Sequence, residues 1–363
     1  MRVIVYPSDV FGSGTYRMKY PAKACRDAGL DVTLGSSGAE GEGIKIERIT
    51  DPNTGQTYVR PHPIDAYVIV MQRVADETAF AAMRSLQAAG HAVVVEIDDD
   101  LSRLHPNHPG HKALNPKLSP HTNWEIMRHA CRAADMVTVT TPALAERYGS
   151  HGRVAVLPNC VPERVLDLDP QSDGRTVGWP GFTPTHPGDL RATGGGVAEA
   201  IRRTGARFLQ VGPIVGVQEQ LGLDEEPEFT DGIPDIDDYY RAITRLDVGI
   251  APLADTGFNK AKSWLKPLEL AACGVVPVMS PVAEYQRLHE QGIGLVAQWK
   301  GRNWRQQVER LLLDENLRNE LAWQAEGVVR AKHTIEGRCH LWAEAWERAF
   351  QNAASRRPSQ IAA

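Results

Sequence analysis

The chain has 363 residues, 42% of them hydrophobic and 23% charged, with a formal net charge of -5. That length allows two cores of ordinary domain size. No apolar run reaches the ~18 residues of a membrane-spanning helix, and the acidic balance gives no overall attraction to nucleic acid. Five cysteines, Cys25, Cys131, Cys160, Cys273 and Cys339, are odd in number and scattered. This argues for reduced thiols and against a zinc ribbon.

In chain order, "MRVIVYPSD" enters a strand directly, with no signal-peptide architecture, so a cytoplasmic protein is expected. The runs "RVIVYP", "AYVIVMQ", "AVVVEI", "MVTVTT" and "VAVLPN" read as buried strands alternating with amphipathic stretches, the rhythm of a parallel sheet covered on both faces. The loop "GSGTYR" (12–17) lacks the third glycine and the acidic partner of a dinucleotide fingerprint, so NAD binding is not predicted. "EIDDDLSRL" places Asp98, Asp99 and Asp100 at the carboxyl end of a strand, where functional groups collect. Three readings stand for this cluster: a general base or acceptor-binding group, a metal-binding DxD, or a helix N-cap. In "HPNHPGH", prolines 106 and 109 oppose the helix that would align His105, His108 and His111 on a metal, and an acceptor loop is the better reading.

"VPERVLDLDPQSDG" (161–174) reads as a linker, after which "TVGWPG", "RFLQVG", "VGIAPL", "VVPVMS" and "IGLVAQ" restart the strand rhythm. The first of these opens a glycine- and proline-rich turn whose Gly181 N–H can meet a phosphate, with His186 close behind. "DEEPEFTDGIPDIDDYY" (224–240) reads as a solvated loop and helix start. In "FNKAKSWLKPLELAACGVVPV" (258–278), Ser263 is a candidate N-cap, Pro267 fits the first turn and Gly274 fits the left-handed position past the end. Lys262 and Lys266 then crowd a helix N-terminus, opposing its dipole. A bound diphosphate would offset that local cost. The bland alternative is a solvated basic turn with a Lys266–Glu269 ion pair. Trp342 and Trp346 in "IEGRCHLWAEAWERAF" read as core, and "QNAASRRPSQIAA" as a disordered tail.

Residues 246–285, "LDVGIAPLADTGFNKAKSWLKPLELAACGVVPVMSPVAEY", resemble the donor-binding segment of GT-B glycosyltransferases, particularly the retaining family 4 group. "FGSGTYR" and "AADMVTVTTPALAERYG…VAVLPNCV" resemble the N-terminal half of the same fold. The resemblance implies an α/β protein with two Rossmann-like domains facing across a cleft: an acceptor domain at 1–165 and a donor domain at 174–334. A crossover helix at 335–350 would pack near the interdomain junction, followed by the tail at 351–363. It implies transfer of a sugar from a UDP- or GDP-linked donor to a hydroxyl, with retention, and no metal or other cofactor. A sugar-nucleotide epimerase or hydrolase of the same fold, or a silent binding module, are the alternatives. The acceptor stays open among a glycan, a protein, a lipid-linked sugar and a modified DNA base.

By the same resemblance, Glu269 matches the second glutamate of the family's Glu-x7-Glu motif and would hold the ribose hydroxyls. The first glutamate falls on Ala261, a departure for which Asn259 or Lys262 would substitute. Lys262 and Lys266 would face the diphosphate. Gly14, Arg17, Gly181, His186, Ile233, Asn259 and Ser263 complete the expected donor site, with Ile233 near the nucleobase. Asp98, Asp99 and Asp100 supply the candidate carboxylates on the acceptor side.

Overall fold

A computed structural model describes residues 1–10, 12–35 and 44–356; Phe11 of the glycine loop and residues 357–363 of the tail lie outside the described residues. The chain divides into two units. One holds residues 1–104, 110–159 and those from 338 onward, and the other holds 105–109 and 160–337.

Strands β1 (Val3–Tyr6), β2 (Val32–Leu34), β3 (Ile46–Thr50), β4 (Thr57–Pro61), β5 (Val68–Gln72), β6 (Ala92–Ile97), β7 (Met136–Val139) and β8 (Val154–Val156) belong to the first unit. Six of them form a parallel sheet in the order β2-β1-β5-β6-β7-β8. Every residue of β5, β6 and β7 is buried, as their uninterrupted apolar runs require of strands covered on both faces. Helix α1 (Glu77–Ala88) is capped by Asp76, whose carboxylate accepts the Ala79 N–H at 2.8 Å. Asn123 caps α2 (Trp124–Ala133) in the same way. The antiparallel β3–β4 hairpin, which the sequence reading leaves unassigned, sits on α1 through Ser85 Oγ to the Val59 carbonyl at 2.6 Å.

The second unit repeats the plan. Strands β9 (Thr176–Pro180), β10 (Arg207–Val211), β11 (Glu228–Thr230), β12 (Val248–Ala251), β13 (Val276–Met279) and β14 (Leu295–Val296) form a parallel sheet ordered β11-β10-β9-β12-β13-β14. Val177, Phe208, Ile250, Val278 and Trp304 belong to one continuous core. Helices α3 (Ile236–Ile243) and α4 (Leu265–Ala272) follow β11 and β12. Between 224 and 240, where a loop was expected, β11 adds an edge strand.

Three expected boundaries move. The first unit ends at Asn159, ahead of residue 165, and "VPERVLDLDPQSDG" is part of the second unit. Val161 and Val165 are buried there, and Val161 bridges Thr334, so this stretch has too much to bury to act as a linker. The C-terminal helix is α5 (His340–Ala354), which belongs to the first unit and lies on β6 and β7. Its buried face of Trp342, Ala345, Trp346 and Ala349 makes it part of the core of that unit. The chain also stays ordered beyond 350: Asn352 Nδ2 donates to the Asp135 carbonyl at 2.8 Å, and Arg356 donates to the carbonyls of Gln87 and His91.

Inside this unit Arg17 is buried, its Nε donating to Glu96 at 2.7 Å and its Nη1 to the Leu157 carbonyl and Asn159. Removing one member of a buried pair strands the other. Arg17→Met is therefore expected to cost about 3 to 5 kcal/mol, whereas Arg17→Met combined with Glu96→Leu recovers a large part of that loss. Urea denaturation of the three proteins checks this. A double variant less stable than the single one would show that the pair is not the source of the effect.

Candidate functional site

In the second sheet the chain runs outward from β9 in one direction through β10 and β11, and in the other through β12, β13 and β14. The direction reverses between β9 and β12, and ligands of open parallel sheets bind outside the carboxyl ends at that point. Two loops meet there, one after Pro180 and one after Ala251. Asp189 joins them. It is buried, and its Oδ1 accepts the Ala254 N–H at 2.9 Å and Asn259 Nδ2 at 2.7 Å. Its Oδ2 is 3.0 Å from His186 Nδ1. Ser280 Oγ accepts the Leu253 N–H, and Trp299 Nε1 donates to the Leu253 carbonyl, so the second loop is also held from β13 and beyond.

His186 stands edge-on to Trp179, with ring centroids 6.0 Å apart. Burial pushes its pKa below the usual imidazole value; the Asp189 hydrogen bond resists, and the charges of Lys262 and Lys266 push the same way as burial. Both lysines therefore act on the same histidine. Lys266 Nζ lies 2.7 Å from Tyr239 Oη and 3.0 Å from Glu269 Oε2, and Tyr239 donates to the same carboxylate oxygen at 3.1 Å. Lys262 Nζ lies 4.7 Å from the centre of the Phe258 ring. The third lysine, Lys260, is exposed and pairs with Asp255.

Helix α4 begins as expected near the lysines, with Pro267 in its first turn and Gly274 at φ 73 beyond its end. Ser263 is not its cap. That position is taken by Trp264, and no side chain caps the helix. Lys262 has extended backbone and is outside the helix, so it reaches the site from the preceding loop. The Gly181 N–H is not available for a phosphate, because it donates to the Val211 carbonyl at 3.1 Å as an extension of the β9–β10 ladder. A side chain at 181 would strike the Trp179 ring, which is what the glycine avoids. Asn259 spends its amide N–H groups on Asp189 and the Ala254 carbonyl, and Ala261 is buried. Ile233 is half-buried in the loop leading from β11 to α3.

The first unit corrects several expectations. Arg17 is consumed by Glu96 and cannot reach a donor phosphate. The Gly14 N–H donates to Asp9 Oδ1, and a Cβ at Gly14 would overlap the Asp9 carbonyl, so this glycine serves a local turn. Asp98 accepts two hydrogen bonds from Arg73, at 2.7 and 2.5 Å. Burial opposes the charge on Arg73, but the carboxylates of Asp98, Asp99 and Asp9 together outweigh it and drive the guanidinium pKa up. Arg73 is the one residue other than glycine with positive φ among the described residues, at 52°. Asp100 is buried among Ser102, Arg147 and Tyr148. Asp99 remains as the half-buried member of the three. His105 and His108 lie in the 105–109 segment that joins the second unit, where His108 is 6.4 Å from the Phe258 ring; His111 opens a helical turn in the first. Among the described residues no group of three or more His, Cys, Asp or Glu side chains is arranged to hold a metal ion.

Sequence reasoning missed Asp189, Tyr239 and Gln210. The short spacing "HPGD" is the only local sign of the first. Tyr239 meets Lys266 across 27 residues, and Gln210 meets the Gly181 carbonyl across 29, distances at which no pattern is readable. Gln210 Oε1 is buried without a hydrogen-bond partner at this strand end.

Residues 197–344 match a family model described as glycosyl transferase-like. No curated protein sequence matches the chain. Among solved structures, a glycosyltransferase from Rickettsia africae superposes with a TM-score of 0.64 at 12% identity, covering 97% of this chain and 99% of that one. HepE of Anabaena in complex with UDP gives 0.59 at 12% identity, covering 95% and 99%. A trehalose-6-phosphate synthase, studied for glycosyl transfer with retention, gives 0.58 at 12%, covering 96% and 99%. These likenesses show that the fold is GT-B.

The depressed pKa of His186 sets a sign for its pH dependence. The unfolded chain takes up this proton at a higher pH than the folded one, so stability is lost as pH falls from the ordinary imidazole value toward the folded one. NMR titration is expected to place His186 below the ordinary imidazole value. Lys266→Met is expected to move it upward, and an unchanged titration would remove the lysine from its surroundings.

Proposed function

We infer that this GT-B glycosyltransferase takes a hexosyl group from a UDP-sugar and transfers it to an acceptor hydroxyl with retention of configuration. The observation that carries this reading is the convergence of Lys262, Lys266 and a pKa-depressed His186 at the strand-order reversal of the second sheet, beside a helix start with no side-chain cap. UDP bound to the similar HepE supports the choice of nucleotide. The similar trehalose-6-phosphate synthase supports retention.

The chemistry follows from charge. As the bond from the sugar's anomeric carbon to the diphosphate breaks, its electron pair leaves with the diphosphate oxygen. Two ammonium groups and the N-terminal end of α4 lie where that growing charge is stabilised. The acceptor oxygen bonds to the same face of the sugar, and its proton passes to the departing oxygen, leaving a nucleoside diphosphate. A His186 that stays neutral near pH 7 can hydrogen-bond sugar or phosphate without itself demanding a counter-ion. Glu269 is assigned to the ribose hydroxyls and the loop at Ile233 to the nucleobase, in keeping with the matched motif. With Ala261 buried and Asn259 occupied, contact with the sugar falls to Lys262. The charge stabilisation described needs no metal ion.

Asp99 is assigned to the acceptor as the half-buried member of the cluster, since Asp98 and Asp100 are buried. The acceptor class is a molecule with a free hydroxyl. The five cysteines are free and buried, which supports a reducing compartment such as the cytoplasm. No helix among the described residues is long and apolar enough to cross a membrane.

A panel of nucleotide sugars in a thermal-shift assay should single out UDP-sugars, since a ligand of the native state raises the melting temperature. Lys262→Ala and Lys266→Ala should each weaken that ligand about tenfold or more, from loss of a charge-assisted contact. Turnover in both should fall about 100-fold or more and be insensitive to EDTA in the native protein. Native affinity in both lysine variants would refute the diphosphate assignment. Binding without transfer to any hydroxyl or to water would leave a binding module in place of an enzyme.

A further inference from the structure

At the other end of the first sheet, where β6 and β7 begin, a cavity of about 500 Å³ opens among α1, α2 and the end of α5. Its lining includes four arginines, Arg84, Arg132, Arg153 and Arg356, and one carboxylate, Asp135. Asp135 is already saturated. Its Oδ2 accepts the Val93 N–H at 2.8 Å and Gln87 Nε2 at 3.1 Å, and the carboxylate pairs with Arg356 through Oδ1 at 2.8 Å. Arg84 donates to Gln87 Oε1 at 2.7 Å, and Arg153 to the carbonyls of Ala134 and Arg132 at 3.0 and 2.8 Å.

By composition the lining carries four guanidinium groups against one carboxylate, three positive charges in excess. Arg84 shows the cost: burial first, and then the charge of Arg356, draw its pKa below the usual guanidinium value, although Asp135 opposes the shift. Like charges held close in a partly enclosed space repel strongly unless an anion joins them. Guanidinium forks match the oxygen spacing of phosphate, and several around one cavity favour a group with more than one negative charge. Phe80 and Ala133 add an apolar wall.

We propose that this cavity, walled by Arg84, Arg132, Arg153 and Arg356, is a binding site for a polyvalent phosphate group. It is built from one unit alone, at the strand ends opposite those where the sheet's functional loops emerge. It does not depend on the sugar-transfer reading. The phosphate can come from a soluble molecule or from a phosphomonoester lipid headgroup.

The test uses the full chain with inorganic pyrophosphate in a calorimetric titration at low salt. Vesicles of phosphatidylcholine, with and without phosphatidic acid, form a second arm. Arg84→Ala combined with Arg132→Ala should weaken pyrophosphate at this site at least about tenfold, while leaving sugar transfer in pyrophosphate-free buffer unchanged. Arg132→Glu, at an exposed position, gives the same readout should the double variant be unstable. Lys262→Ala with Lys266→Ala should retain the site, which separates it from the one in the second unit. Arginine-dependent sedimentation with phosphatidic acid vesicles identifies a lipid source, and pyrophosphate binding without sedimentation identifies a soluble one. Failure of the native protein to bind either probe, or binding that survives both arginine variants, overturns the proposal.

Discussion

The carboxylate of Asp189 fixes the geometry on which the second unit's site stands. One buried side chain accepts a backbone N–H from the loop after β12, an amide from Asn259 and the ring nitrogen of His186. Hydrogen bonds to a charged acceptor contribute about 1.5 to 3 kcal/mol each, and leaving such donors unpaired in a buried place costs as much. The two loops therefore behave as one body. His186 is oriented by the same group that orients Asn259, so the imidazole, the loop that leads to Lys262 and the start of α4 keep a common frame. Pre-organisation of this kind is what a charge-stabilising site needs, since donors that must rearrange during reaction lose much of their effect.

The first unit uses similar strand ends differently. There the charges are spent on one another: Arg17 with Glu96, Arg73 with Asp98, Arg147 with Asp100. Arg73 accepts a left-handed backbone conformation to do so, which costs on the order of 1 to 3 kcal/mol and persists because two hydrogen bonds to one carboxylate hold it. Two copies of one sheet plan thus diverge at the residues that follow their strands.

Much of the fold was legible because strands buried on both faces leave an unmistakable apolar signature: β5, β6, β7, β9, β12 and β13 all come from such runs. The strands that escaped, β2, β3, β4 and β11, are short or sit at edges with exposed faces, where composition resembles that of a loop. The lysine-rich helix start and the Lys266–Glu269 pair were legible from local spacing. Asp98, Asp100 and Arg17 were not, because whether a charged side chain faces a ligand or a partner depends on residues far along the chain. Glu96, the partner that removes Arg17 from consideration, is 79 residues away. The C-terminal helix was legible as a helix but not as part of the first unit. Its two tryptophans announce burial without saying against what.

Lys266 rests between Glu269 and the Tyr239 hydroxyl, a neutralised ammonium in a site that otherwise calls for an anion. On the proposed function, an incoming diphosphate would compete with a partner already in place, so the net gain would be a difference between two ion pairs and not the full strength of one. On that same reading the resting pair sets a threshold, which an anion engaging Lys262 as well as Lys266 is better placed to pass.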